Sequence, residues 1–399
     1  MRHVVDKETE ESTKQTIISF MKKYFTYMAA CLVALCMASC GNNNSQESAS
    51  KEGTKKEAVK KAQAKKAVKS KKKILMPNAS GLPYEMLVVM DDEQWERPVG
   101  RALFNVLDTD VPGLPQSERS FRITRVDPSG MNSNMFRIMR NIIKVDIQKS
   151  VYTQPKLKFS RNVYSHPQMV MTLQAPDEAS LAKYIEDNAQ SIIDFFTKSE
   201  FNREINNLRE QHNPRISNLA KEIFDVDVWV PFEVDNYKRG KDFLWASTNT
   251  GKKDMSLVIY SYPYTDTNTF TLEYFLNKRD SVMKVNIPGG PEGSYMTTQR
   301  DYVYVKDATV HGKYAQVARG LWRVQGDRMG GPFVSHSRVD EVNGRVIVAE
   351  AFVYAPETLK RDLIRRMEAA LYTVQLPKEP EVNNLSYNLE EIIIEPNIK

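Results

Sequence analysis

Four segments of the chain share one pattern, in which an apolar strand leads through a polar turn into an amphipathic helix. The apolar strands run from Met86 to Met90, Met169 to Leu173, Leu257 to Tyr262 and Val346 to Tyr354. Apolar residues at helical spacing follow each turn, which predicts helices ending near Leu107, Arg209, Lys284 and Tyr372. Strands and helices therefore mix along the whole chain from residue 74 onward.

The four units divide the folded part into two halves. The first and third units lie about 170 residues apart, and the second and fourth about 180. We predict an α+β fold of two similar-sized halves, residues 74–218 and 219–376, each with mainly antiparallel sheet and packed amphipathic helices, followed by a tail at 377–399. The recurrence has two interpretations: a degenerate duplication, or coincidence, because strand-turn-helix units are common.

The second half also predicts a β-meander between its two helices. Its four strands are Tyr295–Val305, Tyr314–Gln325, Phe333–Glu341 and Arg345–Tyr354. The dipeptide Asn343-Gly344 adopts positive φ readily and is the strongest short hairpin signal in the chain. A tight turn there pairs Val342 with Arg345, and in that register Glu350 lies opposite Ser337.

One carboxylate stands out because apolar residues flank Glu350 on both sides of its strand. A carboxylate in such a setting must be paired, or its pKa rises. Arg319 and Arg323 are the nearest predicted partners, and Ser335 and Ser337 add hydroxyls. These five residues are the candidate polar site, either a pocket in which Glu350 acts as base or ligand anchor, or an ion pair within a sheet.

A second acidic group, Asp91-Asp92-Glu93, follows the first strand and begins its helix. Carboxylates at that position cap backbone N–H groups and interact favourably with the helix dipole. The alternative is a catalytic role, in which Asp91 or Asp92 acts together with Glu350 in hydrolysis.

The N-terminal region indicates where the protein lies in the cell. Lys22-Lys23 precedes an uncharged apolar run from Tyr24 to Ser39, about sixteen residues, which is shorter than the roughly 20 needed to span a bilayer. The run ends in Met37-Ala38-Ser39-Cys40, an order that resembles a lipobox. We expect a signal peptide at residues 21–39, lipidation of Cys40, and an over-extended start at residues 1–20; a generic signal peptide is the alternative.

The positive charge of the chain lies in a tether. Residues 51–73 carry eleven Lys and two Glu, and residues 1–50 are neutral overall, so the net charge of +6 leaves about −3 for residues 74–399. This distribution argues against a nucleic-acid partner. Residues 40–73 are predicted to be an extended linker that contacts anionic lipid or wall polymer, or that serves only as a solvated spacer.

Several chemistries are excluded by their missing motifs. The sequence has no Gly-x-Ser-x-Gly, His-Glu-x-x-His, Gly-x-x-x-x-Gly-Lys or Gly-x-Gly-x-x-Gly. The loop at 108–115 begins like a calcium loop, but Pro112 and Arg119 occupy ligand positions. No two histidines have metal-ligand spacing, so we expect His166, His212, His311 and His336 to be surface or hydrogen-bonded residues, with no metal and no cofactor.

Five strings carry a resemblance to a known family: Leu75–Gly81, Asp108–Pro115, Trp245–Thr250, Arg319–Trp322 and Gly330–His336. They resemble Bacteroidota lipoproteins of the domain of unknown function 4837 family, over roughly residues 74–377. The resemblance implies a lineage and an envelope location, and it implies no activity.

These observations predict a lipid-anchored envelope protein, placed in the outer membrane and facing the periplasm, with a non-catalytic binding or assembly role and a protein partner. The alternative is a hydrolase that acts on an envelope polymer through carboxylates. An enzyme should have a concave pocket in which several acids converge, whereas an assembly module should have a flat apolar surface.

Overall fold

A computed structural model describes residues 76–379 of the protein. The lipobox at Cys40, the lysine-rich tether and residues 380–399 of the tail lie outside the described residues. The elements of the first half are β1 (Glu85–Val89), α1 (Asp92–Glu96), α2 (Pro98–Leu107), β2 (Arg122–Val126), α3 (Asn134–Arg137), β3 (Asn141–Ile147), β4 (Lys156–Arg161), β5 (Met169–Ala175), α4 (Glu178–Asp187) and α5 (Ala189–Glu210).

The second half begins with a helix and continues with seven strands. Its elements are α6 (Pro214–Phe224), β6 (Asn236–Gly240), β7 (Phe243–Ser247), β8 (Asp254–Pro263), α7 (Leu272–Asn286), β9 (Tyr295–Val310), β10 (Lys313–Gln325), β11 (Gly330–Asp340), β12 (Arg345–Tyr354) and α8 (Arg361–Leu371). The predicted meander is therefore present as β9 to β12.

The strands form two separate sheets. The smaller has the order β2-β1-β3-β5-β4 and the larger the order β6-β7-β8-β12-β11-β10-β9. All six pairings of the large sheet and the β4–β5 pairing of the small sheet are antiparallel, while the other three pairings are parallel. The predicted α+β class is confirmed, and seven of the ten pairings are antiparallel, whereas the small sheet itself is mainly parallel.

The parallel pairings follow from the connections in the first half. Helices α1 and α2 return the chain from β1 to β2, and a short helical segment with α3 returns it from β2 to β3, so each strand re-enters in the same direction. The two sheets differ in strand number, order and direction of pairing, and a duplication stays unconfirmed.

The large sheet is covered by helices on both faces. Along β12, Ile347, Ala349, Ala351 and Val353 pack with α6 and α8, whereas Val346, Val348 and Phe352 pack with α7. Burial on both faces explains why this strand is a nearly continuous apolar run. Glu350 interrupts that run on the α7 face.

The hairpin between β11 and β12 differs from the predicted register. Asp340 pairs with Arg345, so four residues form the loop, and Glu350 lies opposite Ser335 instead of Ser337. The cause is the Asp340 carboxylate, which accepts hydrogen bonds from the backbone N–H groups of Val342 and Asn343, both at 3.2 Å. Burial acts to raise the pKa of Asp340, but bonds from Asn343 and Arg345 outweigh it and lower that pKa.

Polar contacts join the two halves near the beginning of α8. The carboxylate of Glu118 accepts hydrogen bonds from the backbone N–H groups of Lys360 and Arg361, at 2.7 and 2.8 Å. Arg365 donates to the carbonyl oxygen of Ser120 at 3.1 Å. The segment after α2 therefore satisfies the free N–H groups of a helix in the other half.

Candidate functional site

Glu350 forms a buried ion pair with Arg279 of α7. Arg279 donates from Nε to one carboxylate oxygen at 2.9 Å and from Nη2 to the other at 2.6 Å, and both side chains are fully buried. Its Nη1 donates to the Thr298 hydroxyl at 2.7 Å, and its Cζ lies 4.1 Å from the ring centre of Phe333. Burial raises the pKa of Glu350, and the guanidinium opposes that rise.

The predicted partners of Glu350, Arg319 and Arg323, lie on the opposite face of the sheet. Their neighbours on β10, Ala318 and Trp322, point into the α7 core, so alternation turns both arginines toward the side of α6 and α8. The ion-pair interpretation of Glu350 is thus supported by geometry, but its predicted partner was wrong.

Sequence reasoning missed Arg279, although a signal for it exists. Phe275, Arg279 and Met283 are four residues apart, and all three are buried on one face of α7. A cation in the middle of such an apolar stripe needs a carboxylate on the facing strand. Glu350 is that carboxylate.

The two serines of the candidate polar site share the face of Glu350 on β11. Ser335 lies directly opposite Glu350, and Ser337 lies opposite Val348. The Ser335 hydroxyl oxygen is buried and has no hydrogen-bond partner among the described residues. Because α7 covers this face, Glu350 and these serines form an interior polar group rather than an open pocket.

Asp91 and Asp92 do not approach Glu350. They lie at the beginning of α1, beyond the smaller sheet's β1, and both are exposed. The Asp91 side chain makes no capping hydrogen bond, whereas Asp92 pairs with Arg125 of β2. The carboxylate pair that the hydrolase alternative requires is therefore not assembled.

On the other face of the large sheet, Arg319 pairs with Glu368 of α8. One Nη donates to a carboxylate oxygen of Glu368 at 2.9 Å, and the other Nη contacts the second oxygen. Next to this pair lies His336, whose ring centre is 4.8 Å from that of Tyr372. Neither ring nitrogen of His336 has a hydrogen-bond partner among the described residues.

His336 is thus neither a surface residue nor a hydrogen-bonded one, contrary to the prediction from sequence. Its side chain is almost completely buried on β11, the strand that also carries Arg338, and Arg319 lies on the neighbouring strand β10. Burial first, and then the charges of these two arginines, lower the pKa of His336 to about 3. The imidazole is therefore neutral at physiological pH.

Two shallow clefts lie at the β9–β10 side of the large sheet, and together we call them the cleft surface. The first has a volume of about 320 Å³ and is lined by Pro115, Gln299, Leu321 to Val324 and Asp327 to Gly331. The second has a volume of about 300 Å³ and is lined by Gly113, Leu114, Asp301 to Tyr304 and Leu321. Leu321 contributes to both clefts.

Local backbone features build this surface. Gly113 has a φ of +81°, and a side-chain carbon at this position would lie 3.2 Å from Cβ of Arg319, so the loop rests directly on β10. A bulge in β9 lies against Gly320 of β10. It is so close that a Cβ on Gly320 would lie 2.8 Å from the Tyr302 carbonyl oxygen. Arg323, of the candidate polar site, lines the first cleft.

The rim of the cleft surface carries exposed aromatic rings. Tyr302 is 57% exposed and Tyr304 is 40% exposed, both on β9. Partial burial raises the pKa of Tyr304 to about 12, so its hydroxyl stays protonated. Residues from three of the five sequence strings singled out above line these clefts: Asp108–Pro115, Arg319–Trp322 and Gly330–His336.

The described residues contain neither a cluster of metal ligands nor a helix suited to cross a membrane. No three His, Cys, Asp or Glu side chains within residues 76–379 come together as metal ligands. In the same part of the chain, no helix is both long enough and apolar enough to cross a bilayer.

The ion pair of Glu350 makes a stability prediction. Glu350→Ala leaves the Arg279 charge buried without its partner, so we expect the free energy of unfolding to fall by about 3–5 kcal/mol. Adding Arg279→Met to Glu350→Ala should recover part of the loss. Denaturant unfolding of the single and double variants measures both effects.

Arg319 provides the matched control for this cycle, because it lies on the other face of the sheet. The effects of Glu350→Ala and Arg319→Met should be additive within a few tenths of a kcal/mol. If Glu350 were coupled energetically to Arg319 and not to Arg279, the ion pair between Glu350 and Arg279 would be contradicted.

His336 makes a prediction about pH. Its pKa is about 3 in the folded state, against about 6.5 in the unfolded chain, so only the unfolded chain binds this proton between these values. Stability is therefore lost as the pH falls below about 6.5, with a slope of up to about 1.4 kcal/mol per pH unit. His336→Phe should remove that part of the slope, as measured by denaturant unfolding at pH 5.0–6.5.

The exposed His166 serves as the control for this prediction. His166→Phe makes the same replacement at an exposed site, so the slope of His336→Phe is compared with the slope of this variant as well as with that of the wild type. An unchanged slope in His336→Phe would show that His336 takes up its proton in the folded state.

Comparison with known proteins gives two family matches and no function. No curated protein matches the chain. Residues 79–209 match the family model "Domain of unknown function (DUF8532)". Residues 213–373 match "Domain of unknown function (DUF4837)", so the resemblance to that family is confirmed for this part of the chain, which carries the large sheet and most of the cleft surface.

Proposed function

We propose that the protein is a lipid-anchored protein of the cell envelope, with a non-catalytic binding or assembly role at the periplasmic face of the outer membrane. The sequence around Cys40 supports the anchor, and the family resemblance supports a Bacteroidota lineage. The observation that carries the binding role is the cleft surface, which combines shallow relief with exposed Tyr302 and Tyr304.

The distribution of carboxylates favours binding over hydrolysis. Glu350 is fully buried and neutralised by Arg279, while Asp91 and Asp92 lie beside the other sheet. General acid–base catalysis needs groups within hydrogen-bond reach of the substrate. Within the cleft surface, Asp327 lines the first cleft and Asp301 lines the second, so the two carboxylates do not share one cleft.

The chemistry of the cleft surface fits a protein partner. Tyrosine rings at a rim bury apolar area while their hydroxyls keep a hydrogen-bond partner, which is why tyrosine is enriched at interfaces. Leu114 and Leu321 add apolar side chains to the lining of the second cleft, beside these rings. Arg323 and Arg328 border the first cleft and offer donors to polar groups at the edge of a partner.

The tether has a separate role in this proposal. Its eleven lysines between residues 51 and 73 contact anionic lipid headgroups or wall polymer. Each such lysine contributes about 1 kcal/mol near an anionic surface, and the contact weakens with salt. The folded part, with its small negative charge, does not share this attraction.

The anchor is tested by labelling. Two or three acyl chains on one cysteine hold a protein on a membrane essentially permanently, so wild-type protein should incorporate labelled palmitate and sediment with membranes. Cys40→Ser should lose both properties. Palmitate incorporation that persists in Cys40→Ser would refute the proposed lipidation site.

The cleft surface is tested by crosslinking in intact cells. A photoreactive phenylalanine analogue in place of Tyr302 should give a discrete crosslinked product with a second protein. The matched control is Tyr237, which is 40% exposed on β6 at the opposite edge of the same sheet, and it should give no such product.

A further substitution links that product to the clefts. Leu114→Asp places a charge in the apolar part of the second cleft, and we expect it to reduce the yield from position 302 by tenfold or more. Equal products from positions 302 and 237, or a yield insensitive to Leu114→Asp, would assign partner binding to another surface.

A further inference from the structure

The edges of the two sheets are not alike. Three edge strands have only five or six residues and carry basic residues, and both features commonly prevent edge-to-edge pairing in native proteins. These strands are β2 with Arg122 and Arg125, β4 with Lys156 and Lys158, and β6 with Lys238 and Arg239. The fourth edge strand, β9, also carries basic residues, Arg300 and Lys306, but it spans sixteen residues, and no other described strand pairs with its outer side.

Part of β9 is protected within the described residues. Near its beginning, Tyr295 forms a bridge with Pro288, and the Thr298 N–H donates to the Asp280 carboxylate at 2.8 Å. From residue 301 to 309, β9 is exposed except for half-buried Val303, Val305 and Ala308. In antiparallel sheet every second residue of an edge strand directs its N–H and C=O away from its neighbour, so this stretch offers a row of free backbone groups.

The described chain ends beside this stretch. Glu379 lies at the hairpin between β9 and β10, where one carboxylate oxygen is 3.3 Å from Nδ1 of His311. Arg338 of β11 contacts its other oxygen. These bonds lower the pKa of Glu379 against the effect of its burial, so the carboxylate is charged. The tail that follows therefore starts at the C-terminal end of β9.

The tail contains a segment suited to an edge strand. Leu389-Glu390-Glu391-Ile392-Ile393-Ile394-Glu395 combines three consecutive β-branched residues with interspersed carboxylates, and Pro396 follows it. Isoleucine is favoured in strands, and proline ends a ladder because it lacks an N–H. Left unpaired, such a segment is prone to pair with other chains.

Length and direction are also consistent with docking on β9. Residues 380–388 connect Glu379 to Leu389 and reach up to ~30 Å when extended. The exposed stretch 303–309 is ~23 Å long, so reach is not limiting. A chain that starts at the C-terminal end of β9 and runs along it is antiparallel to it, as are all other pairings of this sheet.

We propose that residues 389–395 add to β9 as an antiparallel eighth strand of the large sheet. Alternation along this strand places Ile392 and Ile394 on one face and Ile393 on the other. Its backbone satisfies the free groups of residues 303–309, and its side chains extend the apolar layer of Val303 and Val305. The chain thereby protects its own longest edge.

Hydrogen exchange tests this assignment on the full-length protein in detergent. The protein compared with it is a truncated chain that ends at Glu381 and therefore keeps the contacts of Glu379 with His311 and Arg338. In the truncated chain, outward amides of residues 303–309 should exchange at least tenfold faster. Amides of the central strand β12 should exchange equally in both proteins, which reports an intact fold.

Two proline substitutions identify the docking segment. Ile393→Pro removes a ladder donor within 389–395 and should accelerate exchange as truncation does, while Asn384→Pro in the connecting segment should leave exchange unchanged. Equal exchange in full-length and truncated protein would overturn the proposal, as would truncation acting without an effect of Ile393→Pro. Protection that disappears on tenfold dilution would assign the edge to a second copy of the chain and likewise refute it.

Discussion

The burial of β12 on both faces is the constraint on which the large sheet depends. Helices α6 and α8 cover one face and α7 covers the other, so no side chain in the middle of this strand reaches water. Glu350 occupies such a position, and burying its charge alone would be prohibitive. Arg279 therefore locks α7 onto the sheet, with Thr298 and Phe333 completing its surroundings.

The same constraint separates structural polar groups from accessible ones. Glu350, Ser335 and His336 are buried within the layers, where their effects are on stability and pH dependence. Groups that another molecule can contact lie at the β9–β10 side of the sheet. The bulge of β9 and the loop at Gly113 leave clefts there that helices do not cover.

The cleft surface requires both halves of the chain. The loop at 113–115 belongs to the region matched by one family model, and the strands beneath it belong to the region matched by the other. Glu118, shortly after this loop, fixes the beginning of α8 through backbone N–H groups. The contact that holds the halves together thus also positions the loop that shapes both clefts.

Hydrophobic periodicity determined much of this architecture. Spacing of apolar residues was sufficient to place the helix ends near Leu107 and Tyr372 and all four meander strands, because these patterns depend only on which residues face a core. It also identified Glu350 as a buried carboxylate. Arg279 could also have been identified as a buried cation, because its apolar stripe with Phe275 and Met283 is local in sequence. The carboxylate that pairs with it could not have been identified in this way.

Only the tertiary structure decided the remaining features. Contacts between residues distant in sequence fix the face on which Arg319 lies, the parallel pairings of the small sheet and the clefts around Leu321. The four-residue loop depends instead on local side-chain hydrogen bonds of Asp340, which apolar spacing does not reveal. Local pattern specifies which residues are buried, because burial is read from periodicity. It does not specify which buried groups meet, because that depends on how the sheets and helices pack against one another.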